Sequence, residues 1–337
     1  MNSQQSFILG EDTDDRGKVL TLYFHYPCFD GLVSSVLASE LLTKEKRWNA
    51  VRFFPVTYDD RTNWISRRLV SPFAIVDFLY HPKASFWADH HITTFANEQL
   101  KSQFKRHHDN SRMLFDAQAP SCASLLWEHF GKFLDNRYSE MVFWADKIDS
   151  AKYASVREAM FGDAAALQIN ASLMLRSDLD YCRLLVQELR SKNLSRVANL
   201  PDVRERYEEV RRRREAGVER MEGRVRLEDG DIVTFDIEAA ENAVVSRYAP
   251  YYFFEQARYS IGVVRLEDKI RITAMRNPWL DFESIPLGKV FKRFGGGGHQ
   301  RVASVILPVE QSEQVPEIVE QVKQEMRNQS TAERVVA

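Results

Sequence analysis

The sequence predicts an α/β protein in which a parallel-sheet domain with flanking helices precedes a smaller α+β domain. In the first half, short apolar runs rich in β-branched and aromatic residues alternate with segments of helical period, the pattern of a parallel sheet flanked by helices. After a charged stretch, strand-like runs dominate. At 337 residues the chain has room for two domains of ordinary size.

The first domain is assigned to residues 19–200, and the polar, acidic segment 1–18 before it is predicted to be a disordered tail. Its first strand is predicted at 19–24. A helix should follow directly after Gly31, because apolar residues from Leu32 to Leu42 recur at three- and four-residue steps. Further strands are predicted at 51–54, 73–76 and 85–88, and helices at 122–133 and 138–148.

A charged segment at 201–224, with four consecutive arginines at 211–214, separates the two domains. Glutamates lie between its basic residues at helical spacing, which predicts a solvated linker helix supported by i,i+4 pairs. The second domain is assigned to 225–328, with strands at 232–237, 259–264 and 269–274 and a helix at 315–326. Residues 329–337 are predicted to be a frayed tail.

Composition excludes several classes of protein. No apolar run approaches the roughly eighteen residues that a membrane helix needs, so no membrane span is expected. Three scattered cysteines, Cys28, Cys122 and Cys182, do not make a disulfide framework, which predicts a reducing compartment and hence the cytoplasm. A net charge of −2 disfavours a protein that coats long nucleic acids by bulk electrostatics.

Side chains that bind metals follow several predicted strands. His25 and Asp30 follow the first strand, Asp77 follows the strand at 73–76, and Asp89, His90 and His91 follow the strand at 85–88. Open α/β sheets place their binding crevice at these strand ends. A single aspartate after a strand is usually a turn or helix cap. The metal site is predicted because ligand-type residues follow several strands of the same sheet. Mixed carboxylate and imidazole ligands suit Mn²⁺, and several carboxylates can bridge an ion pair.

Four consecutive glycines in the second domain precede His299. Glycine lets backbone amides approach an anion closely, and such amides form concave phosphate or carboxylate sites. The alternative is a plain flexible loop. Basic residues around the run favour the anion site: Lys292, Arg293 and Arg301.

Taken together, these motifs resemble the DHH phosphoesterase family. Asp89-His90-His91 is similar to its eponymous triplet, and residues 295–299 (Gly-Gly-Gly-Gly-His) are similar to the signature of its DHH-associated C-terminal domain. Residues 22–31 resemble the first family motif in a variant, His-x-x-Cys-x-Asp-Gly. The further motifs lie at 74–78, 120–124 and 149–153, and the resemblance spans residues 19–310.

The resemblance implies a two-metal hydrolase with its active site in a cleft between the domains. The implied metal ligands are His25, Asp30, Asp77, His90 and Asp149. Asp77 would bridge the ions, His91 would contact the scissile phosphate, and Asp89 would orient the neighbouring histidine, which makes these three the implied catalytic residues. Asp146 competes with Asp149, which is preferred for the Ser-Ala-x-Tyr that follows it.

The resemblance also implies substrate-binding residues, and at Cys28 the chain differs from the family pattern. Arg276 matches a family arginine that approaches the substrate, with an edge-strand arginine as the alternative. With Gly296, Gly297, Gly298 and His299 it would hold a terminal phosphate or carboxylate. Many family members carry an aspartate where this chain has Cys28. Whether Cys28 is a softer ligand, favouring Zn²⁺ or Fe²⁺, or only a neighbour stays open.

The predicted function is metal-dependent hydrolysis of phosphodiester or phosphomonoester bonds in short single-stranded RNA or DNA or in small nucleotides. Two Mn²⁺ ions are expected, with Mg²⁺, Zn²⁺ or Fe²⁺ as alternatives. For the oligomeric state, a homodimer is one hypothesis. One alternative is a non-catalytic nucleotide-binding or scaffold protein whose metal site has decayed at Cys28. Others are an exopolyphosphatase and a nucleoside bisphosphate phosphatase.

Overall fold

The structure is a computed structural model that describes residues 19–44, 48–107, 112–175, 178–298 and 300–336. The tail predicted at 1–18 lies outside them. The chain divides into two units, Met1–Lys152 with Asp163–Tyr207, and Tyr153–Gly162 with Glu208–Ala337. Among the described helices, none combines the length and apolar character needed to cross a membrane.

The first unit is built on a five-stranded sheet. Its strands are β1 Val19–His25, β2 Ala50–Val56, β3 Phe73–Val76, β4 Phe86–Asp89 and β5 Met113–Phe115. They lie in the order β2-β1-β3-β4-β5, and every neighbouring pair is parallel, which confirms the predicted parallel sheet. The three-residue β5 was not predicted because so short a run carries no periodicity.

Both faces of this sheet are covered, so its central strands are buried along their length. In β1, Leu22 and Phe24 face one apolar core and Tyr23 faces the other, as alternation along a strand requires. Buried parallel strands appear in sequence as continuous apolar runs, which is why β1 and β3 were predictable. The helices are α1 Phe29–Lys44, α2 Glu98–His107, α3 Cys122–Phe130, α4 Ser139–Asp149, α6 Ala165–Leu173, α7 Leu179–Ser191 and α8 Leu194–Ala198.

Helix α1 begins at Phe29, so the prediction that it follows Gly31 was wrong. Gly31 lies in its first turn, where a β-carbon would come within 2.2 Å of the His25 carbonyl oxygen. The glycine is therefore needed for the close approach of α1 to β1 and does not mark the boundary between them.

The second unit contains a six-stranded mixed sheet, which agrees with the predicted α+β domain. Its strands are β6 Val225–Glu228, β7 Ile232–Glu238, β8 Tyr259–Arg265, β9 Lys269–Arg276, β10 Gly297–Gly298 and β11 Val302–Pro308. They lie in the order β10-β11-β9-β8-β7-β6, and only β7 and β8 pair in parallel. The helices are α5 Val156–Phe161, α10 Ala249–Phe253, α11 Leu287–Lys292 and α12 Val315–Val336.

Two boundaries differ from the sequence prediction. The segment Tyr153–Gly162 was placed in the first domain but groups with the second unit. There the Arg214 side chain donates to the Met160 carbonyl at 2.8 Å, and the Phe161 and Tyr252 rings lie 5.9 Å apart. Helix α12 continues to Val336, through the residues predicted to fray, because no glycine or proline follows Pro316 of its first turn.

The charged segment predicted at 201–224 forms helix α9, Pro201–Met221, whose residues as far as Tyr207 group with the first unit and whose remainder groups with the second. Its arginines pair with glutamates one turn earlier: Arg211 lies 2.8 Å from Glu208, and Arg213 lies 2.6 Å from Glu209. These i,i+3 and i,i+4 pairs are those predicted for the segment, but the helix is not solvated on every face, because Val203, Val210 and Met221 are buried.

Candidate metal centre

Three neighbouring strands of the first sheet end at the same edge and carry the first part of the site. His25 is the last residue of β1, Asp77 follows β3 directly, and Asp89 is the last residue of β4. Parallel strands present their carboxyl ends on one side, so the topology itself brings these side chains together. All three are buried, with exposures of 6%, 1% and 1%.

Two helix N-termini supply the next part of the site. Asp30 lies in the first turn of α1, and its carboxylate accepts the backbone amides of Cys122 and Ala123 at 2.7 and 2.8 Å, at the start of α3. The Ser34 hydroxyl donates to the same carboxylate at 3.1 Å. These three hydrogen bonds, two of them from the start of α3, hold the buried Asp30 side chain in place.

The predicted ligands converge on one place in the first unit. The Nε2 atom of His90 lies 3.3 Å from Asp149 Oδ2, 3.7 Å from Asp30 Oδ2 and 3.9 Å from Asp77 Oδ1. On the other side, Nδ1 of His25 lies 3.4 Å from Asp77 Oδ2. The two carboxylate oxygens of Asp77 therefore face different imidazoles, the arrangement that a carboxylate bridging two cations requires.

Three overlapping groups of side chains each have ligand atoms within 4.8 Å of one another. One contains His25, Cys28 and Asp77, and a second contains Asp30, His90 and Asp149. The third contains Asp77 with the triplet Asp89, His90 and His91. Oxygen and nitrogen donors in this number suit divalent cations such as Mn²⁺, and Cys28 adds a softer sulfur donor to the first group.

The buried polar atoms of this cluster also fit a cation. Both carboxylate oxygens of Asp77, Nε2 of His25 and Nε2 of His90 are buried without a hydrogen-bond partner among the described residues. A buried polar atom without a partner is costly, and four of them in one cluster call for a ligand. Each is an atom that can donate an electron pair to a metal.

The ionisation of the cluster reflects its crowded negative charge. Burial, followed by the charges of Asp30 and Asp89, raises the pKa of Asp77 well above its ordinary range. Burial and Asp30 raise the pKa of Asp149 to about 6. Burial and the charge of Asp77 likewise raise the pKa of the Cys28 thiol, and burial lowers the pKa of His25 to about 4. A bound cation reverses the carboxylate and thiol shifts by favouring the charged forms.

Asp89 accepts three hydrogen bonds through one carboxylate oxygen. Its Oδ1 accepts the backbone amides of His90 and His91, at 2.8 and 3.3 Å, and lies 2.8 Å from Nδ1 of His91. Burial alone would lower the pKa of His91, but the hydrogen bond and charge of Asp89 outweigh it and raise that pKa. With Nδ1 held by Asp89, Nε2 of His91 is left for a ligand, and the side chain is 31% exposed.

Asp146 and Asp149 occupy successive turns at the end of α4, and the structure gives them different neighbours. Asp146 accepts hydrogen bonds from the hydroxyls of Ser121 and Ser124, which hold it against the start of α3. Asp149 lies 3.3 Å from His90. The geometry therefore favours Asp149 over Asp146 as the ligand.

Replacing these two aspartates by asparagine should separate their roles. We expect Asp149→Asn to raise the Mn²⁺ concentration needed for half-maximal binding by at least about tenfold, since even groups that only orient metal ligands cost this much. Asp146→Asn should leave Mn²⁺ affinity within about twofold of wild type, because the asparagine amide can accept from one serine hydroxyl and donate to the other. Calorimetric titration with Mn²⁺ measures both, and a larger loss in Asp146→Asn would reverse the assignment.

The second unit holds the remaining predicted residues. Arg276 is buried, and its Nη2 donates to the carbonyls of Leu280 and Phe282 at 2.9 and 2.8 Å. Gly297 and Gly298 form β10, and a β-carbon on Gly296 or Gly298 would come within 2.5 Å of β11. Close strand packing thus accounts for two of the glycines. His299 lies outside the described residues, and the role of this segment in substrate binding stays a prediction.

Sequence reasoning missed two residues beside the cluster. The Tyr58 and His25 rings lie 4.5 Å apart, and the Arg61 guanidinium lies 5.0 Å from the Tyr58 ring centre. Both belong to a single 3-10 turn after β2, Tyr58–Arg61. No motif marks them; the available signal was that this turn also follows a strand of the parallel sheet.

Comparison with known proteins identifies the fold. No family model matches the chain, and no curated protein matches it. Among solved structures, it is similar to a pGpG-specific phosphodiesterase, PggH, from Vibrio cholerae, with 20% identity, a TM-score of 0.69, and coverage of 90% of this chain and 98% of that one.

Two further structures share the fold. One is the DHH domain of a protein described as a member of a family of ribosomal proteins, with 15% identity, a TM-score of 0.60, and coverage of 92% of this chain and 86% of that one. The other is the exonuclease RecJ bound to manganese, with 14% identity, a TM-score of 0.52, and coverage of 93% and 91%. The resemblance to DHH proteins that the motifs predicted is thus confirmed at the level of the fold.

Proposed function

We propose that this chain, which has the fold of the DHH phosphoesterases, is a metal-dependent phosphoesterase that hydrolyses short oligonucleotides of two to a few units. The observation that carries the proposal is the convergence of His25, Asp30, Asp77, His90 and Asp149, four of whose buried atoms lack a hydrogen-bond partner among the described residues. A pure binding module needs no such concentration of buried acids, whose mutual repulsion destabilises the fold.

Two divalent cations, one beside His25 and Asp77 and the other beside Asp30, His90 and Asp149, would supply a nucleophile from water at neutral pH and neutralise phosphoryl charge. The protein's own side chains would position the cations and donate a hydrogen bond to the phosphoryl group. Asp77 holds the two halves of the centre together, and His91 is positioned to donate from Nε2 to a phosphoryl oxygen as charge develops there. Asp89 accepts from Nδ1 of His91 and favours the protonated ring, in which Nε2 also carries a hydrogen.

Fold and charge support the choice of substrate class. The pGpG phosphodiesterase and the manganese-bound exonuclease with this fold both act on nucleotide polymers, one of them two units long. The net charge of −2 disfavours long nucleic acids, whose binding depends on many basic contacts. We therefore place linear dinucleotides first among the substrates, ahead of polyphosphate and nucleoside bisphosphates.

A substrate panel tests this proposal. The purified protein is incubated with Mn²⁺ and, in parallel, with linear and cyclic dinucleotides, RNA and DNA of three to five units, a nucleoside bisphosphate and polyphosphate. We expect release of mononucleotides from the linear dinucleotides with the highest kcat/KM, and no release after chelation of the metal. Hydrolysis of polyphosphate alone, or Mn²⁺ binding without hydrolysis of any substrate, would replace the proposed function.

A further inference from the structure

The 3-10 turn after β2 presents an aromatic ring at the edge of the metal centre. All twelve tyrosines of the chain lie in the described residues, and Tyr58, at 53%, is the only one among the exposed side chains. Its ring lies 4.5 Å from that of the predicted ligand His25. Tyr58 is not among the residues of the apolar core cluster that contains Trp64, so core packing does not account for its exposed ring.

The turn is held firmly. Asp60 accepts the Thr57 backbone amide at 2.8 Å and pairs with Arg67. Shortly after the turn, Trp64 is 1% exposed and donates from its indole nitrogen to the Leu79 carbonyl at 2.9 Å. A backbone turn fixed in this way loses little conformational entropy when a ligand binds, which is the property of a preformed binding surface.

Arg61 links this turn to the segment that follows the triplet. Its guanidinium lies 5.0 Å from the Tyr58 ring centre, and its Nη2 donates to the carbonyl and hydroxyl oxygens of Thr93 at 3.3 and 3.1 Å. The next residue before Thr93 is Ile92, a 72% exposed apolar side chain that directly follows His91. The metal centre is therefore flanked by an exposed aromatic ring, a cation and an exposed aliphatic side chain.

We propose that Tyr58, backed by Arg61, is the surface on which a nucleobase of the substrate stacks beside the scissile phosphate. Every nucleobase presents a π face, so an aromatic ring binds it with little dependence on sequence. An arginine above such a ring adds a cation–π contact and attracts the phosphate that accompanies the base. This inference rests on the proposed function, since it names the part of the substrate that the same site recognises.

The test compares two substrates on three forms of the full-length protein. One substrate is a linear dinucleotide with both bases, and the other is the same dinucleotide with an abasic sugar beside the scissile phosphate. Wild type, Tyr58→Phe and Tyr58→Leu are assayed with Mn²⁺. Phenylalanine keeps the aromatic ring, whereas leucine replaces it with an apolar side chain that has no ring. The difference between the two variants therefore measures the contribution of stacking on the ring.

We expect wild type and Tyr58→Phe to favour the substrate with both bases by about tenfold in kcat/KM, mainly through KM, the size of one stacked base. Tyr58→Leu should lose this preference while hydrolysing the abasic substrate as wild type does, which also shows that it is folded. An equal loss on both substrates would instead make Tyr58 a support for His25 and overturn the inference. Wild type that hydrolyses neither substrate would overturn the proposed function as well.

Discussion

Asp77→Asn is expected to abolish Mn²⁺-dependent hydrolysis, lowering kcat by at least about a thousandfold. Asp77 is the one side chain, among the described residues, whose two oxygens face both halves of the cluster, 3.4 Å from His25 and 3.9 Å from His90. Asparagine keeps the size of the side chain but loses the charge and one of the two acceptor oxygens. Steady-state kinetics on a linear dinucleotide measures the loss.

The same substitution should stabilise the metal-free protein. The pKa of Asp77 is raised, so its contribution to stability is complete below the ordinary pKa and is lost as the pH rises through the folded-state value. Asparagine has no proton to lose. The difference in free energy of unfolding between variant and wild type should therefore increase in favour of the variant as the pH rises, when metal is removed by chelation.

Added Mn²⁺ should reverse this order of stability. A ligand that binds only the folded state stabilises it, by about 2.7 kcal/mol at a hundred times the dissociation constant. Mn²⁺ should therefore raise the free energy of unfolding of wild type but not that of Asp77→Asn. Denaturant unfolding with and without Mn²⁺ measures the effect, and an inactive variant that unfolds more easily than wild type in chelator would mean that Asp77 is structural.

The position of the site could be predicted because it depends on strand ends. Once β1, β3 and β4 are recognised as parallel strands, the location of His25, Asp77 and Asp89 at one edge follows from topology. The structure brings all the predicted metal ligands together, Asp149 among them, although 72 residues separate Asp77 from Asp149 in the numbering. Long-range convergence of this kind comes from the fold and carries no local signal.

Other features depend on contacts that no local pattern encodes. The different neighbours of Asp146 and Asp149 arise from Ser121 and Ser124, whose hydroxyls at the start of α3 donate to Asp146. The need for Gly31 arises from the His25 carbonyl across the β1–α1 connection. Tyr58 and Arg61 lie beside the candidate metal ligand His25 because β2 is the edge neighbour of β1. In each case the tertiary partner gives the residue its role.

His91→Ala is expected to lower kcat by about a hundredfold while changing KM for the dinucleotide little. Removing one preformed donor to developing charge typically costs about two to three orders of magnitude in kcat. His91 is suited to this role because Asp89 holds its Nδ1 at 2.8 Å and the ring remains 31% exposed. Mn²⁺ affinity should change far less than in Asp149→Asn, and calorimetric titration distinguishes the two effects.

Asp89→Asn provides the matched test of how His91 is held. Asparagine can still accept the two backbone amides but cannot stabilise a protonated imidazole, so the pKa of His91, raised by Asp89, should fall. If His91 acts as a donor in its protonated form, the alkaline limb of the kcat profile should move to lower pH in this variant. An unchanged profile in Asp89→Asn, together with a His91→Ala loss that appears in KM, would show that His91 binds the substrate in its ground state and does not stabilise the transition state.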